Sequence, residues 1–87
     1  MEEILEERHT LAVLVDNEAG VLARVIGLFA GRGYNIESLT VAAVDQAAHM
    51  SRITVVTNGT PMVIQQIKAQ LERLVPVHKV VDLTLQA

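Results

Sequence analysis

Eighty-seven residues with a formal net charge of −3 and no cysteine make one small domain. That composition excludes disulfides and thiolate metal sites, and without a basic cluster it offers little counterion release for nucleic-acid binding. Apolar residues make up 51% of the chain, high for so small a domain, so part of that surface is expected to meet another chain.

The acidic leader "MEEILEER", residues 1–8, lacks the basic start and apolar centre of a signal peptide and reads as a solvated end. No apolar run approaches the roughly 20 residues of a membrane span. The expected location is the cytoplasm. The domain proper is expected to occupy residues 9–87.

"HTLAVLV", His9 to Val15, is β-branched and apolar and reads as a buried strand. "DNEAG" is turn-rich, with Asp16 and Glu18 as turn and helix-start residues. Val21, Leu22, Val25, Ile26 and Phe29 sit at helical spacing and predict a helix over Val21 to Ala30. Gly31 and Gly33 stop it, and Gly33 is the better candidate for a left-handed residue.

Asn35 to Val44 alternates as a second strand, with Leu39, Val41 and Ala43 on one side. Ile36 is out of phase with that set, so it is expected to point away from the helices. "RITVVT", Arg52 to Thr57, is a third strand. "NGTP" turns the chain, with Thr60 as cap and Pro61 at the first helical position. Ile64, Ile67, Leu71 and Leu74 mark a second helix, and Val77 to Leu85 alternates as a fourth strand.

The order βαββαβ predicts an α+β, ferredoxin-like sandwich, a four-stranded antiparallel sheet with two helices on one face. Odd-numbered strand residues, Val81, Leu83 and Leu85 among them, are expected to face the helices. The opposite face would show Ala12, Leu14, Thr40, Ala42, Thr54, Val56 and Val80, which is apolar enough to suggest a cover.

Fold alone leaves function open. RNA recognition on such a sheet needs aromatic residues on the central strands, and "TLAVLV" and "RITVVT" carry none. An acylphosphatase needs an arginine in the first loop, which here is acidic. His9, His49 and His78 lack metal-ligand spacing and read as surface or strand-edge residues. The first loop is the informative place. Gly20 sits where backbone N–H groups emerge unpaired from a helix and attract a carboxylate. Asn17 can offer an amide to the ligand. The same residues also read as an ordinary helix cap and turn.

"HTLAVLVDNEAGVLARVIGLFAGRGYNIESLTVA" resembles the N-terminal segment of the small regulatory subunit of acetolactate (acetohydroxyacid) synthase. "RVIGLF" followed by "RGYNIESLTV" is the specific part, while "DNEAGVLARV" marks the broader class of ACT domains. The resemblance implies a non-catalytic partner of the catalytic subunit that confers feedback inhibition by a branched-chain amino acid, valine foremost. It implies a homodimer through side-by-side sheets, with the effector at the interface. Asn17, Ala19, Gly20, Val21 and Leu22 would form the loop side of that pocket, and Asn35 and Ile36 would come from the other copy. Thiamine diphosphate, FAD and magnesium would belong to the catalytic subunit. The alternative is a module that dimerises or grips the catalytic subunit without an effector. Full small subunits of the family carry a second, C-terminal domain, whereas this sequence stops at Ala87.

Overall fold

The first strand, β1, runs from Glu7 to Asp16 and starts within the segment read as a leader. The computed structural model describes residues 6–45 and 47–85; the leader's first five residues lie outside it. Then follow α1 (Val21–Gly31), β2 (Asn35–Asp45), β3 (Met50–Gly59), α2 (Pro61–Glu72) and β4 (Val77–Asp82), with a 3-10 turn over Leu83–Leu85. The sheet order is β2-β3-β1-β4 and every neighbouring pair is antiparallel. This is the ferredoxin-like sandwich expected from the sequence.

The core lies between the sheet and the two helices. Leu11, Val13 and Val15 of β1 and Ile53 and Val55 of β3 meet Val21, Val25 and Phe29 of α1 and Ile64, Ile67 and Leu71 of α2. Burying each large apolar side chain contributes about 1.5–3 kcal/mol. The α1 stripe divides, however. Val21, Val25 and Phe29 are buried, while Leu22 and Ile26 remain 37% and 42% exposed.

The junction after α1 is a Schellman motif. The Gly33 N–H donates to the Ala30 carbonyl (3.3 Å) and the Tyr34 N–H to the Phe29 carbonyl (2.9 Å). Gly33 supplies the left-handed residue at φ 71°, a conformation a Cβ would strain. Gly31 is the last helical residue. The Phe29 and Tyr34 rings meet edge to face, 6.0 Å between centroids, the apolar contact that commonly accompanies this stop. At α2, Thr60 Oγ1 accepts from the Val63 N–H (3.3 Å) and Pro61 opens the helix, as expected of a cap followed by proline.

Two bulges overturn sequence expectations. In β2 the register slips between Ile36 and Ser38, so Ile36 pairs with Thr57 and Leu39 with Val55. Thr57 and Val55 both face the helices, and Ile36 packs against the core. Simple alternation put Ile36 on the other side because it cannot see the extra residue, Glu37. In β4, Val77 pairs with Val15 and Lys79 with Leu14, leaving His78 as the extra residue. Val80 and Asp82 therefore face the helices, and Val81 turns to the open face. The expected parity of Val80 and Val81 is reversed.

The fourth strand also ends early. Asp82 Oδ1 accepts the Thr84 N–H (3.1 Å) and Thr84 Oγ1 accepts the Thr10 N–H (2.8 Å). These side chains replace the next ladder bond, and the chain curls into its 3-10 turn instead of continuing as strand.

His9 corrects a further expectation, that of a surface or strand-edge histidine. It is 6% exposed, with Nδ1 2.6 Å from Asp82 Oδ2 and Nε2 2.9 Å from Glu7 Oε1. Lys68 Nζ stands 3.9 Å from the same Asp82 oxygen. His49 and His78 are exposed, as read from the sequence.

Candidate functional site

Asn17 to Gly20 link the end of β1 to the start of α1. Three backbone bonds pin the linker. The Asp16 N–H donates to the Pro76 carbonyl (2.9 Å), the Asn17 N–H to the His49 carbonyl (2.7 Å), and the Glu18 N–H to the Asp16 carbonyl (2.9 Å). His49, the one non-glycine residue with positive φ (55°) among the described residues, thus helps hold the loop from the β2–β3 turn. His78 Nε2 lies 2.5 Å from Asp16 Oδ1 on the other flank. Sequence reading missed both braces, because their partners are distant in the chain.

Gly20 is the residue before α1, at φ 84° and ψ −4°. No side chain caps this helix, and no acidic residue stands in its first turn. Asn17 is exposed and does not cap, so the ordinary cap reading fails for it. The Val21 N–H reaches the Glu18 carbonyl at 3.3 Å and the Arg24 N–H the Gly20 carbonyl at 3.0 Å. The Leu22 and Ala23 N–H groups between them have no partner among the described residues. Two free donors at the positive end of a helix dipole suit a carboxylate. A Cβ built on Gly20 meets nothing within 4 Å, so the space beside these donors is open. Glu18, 3.7 Å from Arg24, is partly neutralised by it.

The remaining loop-side residues differ in what they offer. Ala19 is exposed, Leu22 is half-exposed, and the Val21 side chain is buried in its own core. Val21 therefore has only backbone to present.

Asn35 and Ile36 lie at the other end of the sheet. Asn35 pairs with Asn58, which is level with Arg8 at the start of β1, whereas Asp16 is level with Met50. Asn35 Nδ2 donates to Asn58 Oδ1 (2.7 Å). Both asparagines line a cleft of about 510 Å³ with Glu6, Arg32, Tyr34 and Gln66. Within one chain the structure thus brings Asn17, Ala19, Gly20, Val21 and Leu22 together and keeps Asn35 and Ile36 apart from them.

The outer edge of β2 is long and open. The strand has eleven residues and β3 pairs with one side of it. Val41 and Val44 are 50% and 52% exposed, and Leu22 and Ile26 of α1, the helix that lies over β2, add to the same flank. An unpaired strand edge beside exposed apolar side chains is a template for pairing with another chain.

The family described as the AHAS small subunit-like ACT domain matches residues 11–79. The chain is similar to the acetolactate synthase isozyme 3 small subunit of Escherichia coli, 54% identical over 76 residues that cover 87% of this chain and 46% of that protein. It is similar to a probable acetolactate synthase small subunit of Archaeoglobus fulgidus, 49% identical over 88% of this chain and 48% of that protein. Among solved structures, an acetolactate synthase small subunit from Thermotoga maritima superposes with a TM-score of 0.79 at 38% identity, over 87% of this chain and 47% of that one. The chain spans about half the length of the curated relatives it matches.

Proposed function

The chain belongs to the family of acetohydroxyacid synthase small subunit-like ACT domains, and on that premise we propose that it is the effector-sensing part of an acetolactate synthase regulatory subunit. In this reading it is not itself an enzyme. It binds a branched-chain amino acid, valine foremost, and confers feedback inhibition on a catalytic subunit that carries thiamine diphosphate, FAD and magnesium.

The observation that supports the reading is the placement of the two half-sites at opposite ends of one sheet with an open β2 edge. β1 and β2 run parallel, each antiparallel to β3. Pairing β2 with β2 of a second copy about a two-fold axis beside Thr40 would bring Asn35 of that copy level with Asp45. That is the end at which Asn17, Gly20 and the free α1 donors stand. Two equivalent pockets would form, each needing both copies. The ligand carboxylate would take the Leu22 and Ala23 N–H groups, and the amides of Asn17 and Asn35 would take its ammonium. Because the pocket spans the dimer, ligand and dimer stabilise one another.

Asn35 is already bonded to Asn58, which favours the effector-independent module as the second reading. An activity assay on the catalytic subunit separates the two. The first reading expects the chain to change the activity and valine to reverse or deepen that change. Binding with no response to valine, leucine or isoleucine would support the second.

A further inference from the structure

The sheet face turned away from the helices carries a pattern that the proposed effector site does not use. Leu14 of β1 pairs with Arg52 on one side and Lys79 on the other. Side chains directly across a ladder share a face. Arg52, Leu14 and Lys79 therefore form one row across β3, β1 and β4. Both cations are exposed. Among the described residues neither has a carboxylate within ion-pair distance. Behind this row the face is apolar or hydroxylic, with Ala12 buried and Thr54, Val56 and Val81 half-buried.

The carboxylates near this face are engaged elsewhere. Asp16 holds His78, Glu37 holds Arg8, Glu6 accepts from Asn58, and Asp45 accepts the Ala47 and Ala48 N–H groups. Among the described residues, a second copy docked face to face would bring the same two cations and, near this face, only carboxylates that already have partners. In a chain of net charge −3, two exposed cations without an ion-pair partner among the described residues flank an apolar centre, a pattern complementary to an acidic segment.

We propose that this face docks an acidic protein segment with an apolar centre, whose carboxylates lie roughly 10 Å apart, the spacing of two strand intervals. Resting on the function proposed above, the partner is the catalytic subunit of acetolactate synthase. The two sheet surfaces then divide the work. The β2 edge serves self-association and effector, and the Arg52–Leu14–Lys79 row serves the catalytic partner. Charge complementarity at such a rim governs association rate and salt dependence.

The test is binding of the 87-residue chain to its cognate catalytic subunit, followed by interferometry, with the Arg52→Glu/Lys79→Glu double variant beside the parent. Both positions are exposed, so the variant keeps its fold, checked by its melting curve. The expected result is binding weakened at least about tenfold, mainly through slower association, and a flatter salt dependence. The valine-induced melting shift should stay as in the parent. A Thr54→Arg variant, which adds bulk at the centre without acid, should also weaken binding. If the parent binds and both variants bind equally well, the docking face is wrong and the regulatory reading stands. If the parent does not bind the catalytic subunit at all, both fall.

Discussion

Asn17 and Asn35 stand at opposite ends of the same sheet. Asn17 follows Asp16, level with Met50, and Asn35 is level through Asn58 with Arg8. From Arg8 to Asp16 a strand covers roughly 27 Å, far more than the length of a free amino acid. One chain alone cannot use both asparagines on one small ligand. A pocket that contains both needs two copies.

The β2 edge is the surface that would join them. Val41 is 50% exposed, so Val41→Glu should leave the domain folded. It should place like charges against each other across the two-fold, weakening self-association by about tenfold or more. Sedimentation velocity reads this directly. An unchanged dimer in the variant would move the interface elsewhere.

Gly20 supplies both conformation and access. Gly20→Ala forces a Cβ into the left-handed region at a cost of about 1–2 kcal/mol, with no clash to add since the site is open. Gly20→Asn should cost less, because Asn tolerates that region. Gly20→Asp should fold similarly but lose the valine-induced rise in melting temperature, since its carboxylate would repel that of the ligand. Thermal melts of the three variants, with and without valine, separate backbone strain from ligand loss.

Gly59 is a packing position. A Cβ there would lie 2.8 Å from Val63 Cγ1 in the first turn of α2. Gly59→Ala should destabilise by about 1–3 kcal/mol through overpacking, measured by urea unfolding. Combining it with Val63→Ala should recover part of that loss.

His9 makes stability depend on pH. Burial pulls its pKa down, but hydrogen bonds and charge from Glu7 and Asp82 outweigh burial and raise it above 6.5. A raised histidine pKa means the folded state holds the proton more tightly than the unfolded one. The resulting stability is fully present below pH 6.5 and is lost as pH rises through the folded value. The parent should therefore melt higher at pH 6 than at pH 9, and His9→Gln should flatten that slope. At pH 6, Asp82→Ala should cost about 3–5 kcal/mol, as it strands one member of a buried pair.

Local signals were legible and long-range ones were not. Gly33, Thr60 and Pro61 announced their caps because left-handed backbone and helix starts demand those residue types. The one-residue register shift after Ile36 was not announced. A bulge is one extra residue, and nothing in "NIESL" marks Glu37 as that residue. The same blindness exchanged Val80 and Val81. His9 looked like a surface histidine because its partner, Asp82, lies at the far end of the chain. Leu22 and Ile26 share helical spacing with Val25 and Phe29, and spacing alone cannot distinguish a side chain buried at home from one kept for another chain. For the candidate site, "DNEAG" pointed to the loop, but its braces at His49 and Pro76 come from turns that pattern cannot bring together.

The central claim is that this domain senses a branched-chain amino acid at a two-copy pocket. The most direct test is calorimetric titration of valine, leucine and isoleucine into the chain, with sedimentation to report the oligomer. A buried valine side chain contributes about 1.5–3 kcal/mol, and a total near −4 to −8 kcal/mol corresponds to millimolar to micromolar affinity. Saturable heat is expected with valine, with binding of leucine or isoleucine weaker by no more than about 1–3 kcal/mol and a dimer strengthened by the ligand. No heat from any of the three, and a sedimentation profile indifferent to them, would contradict the claim.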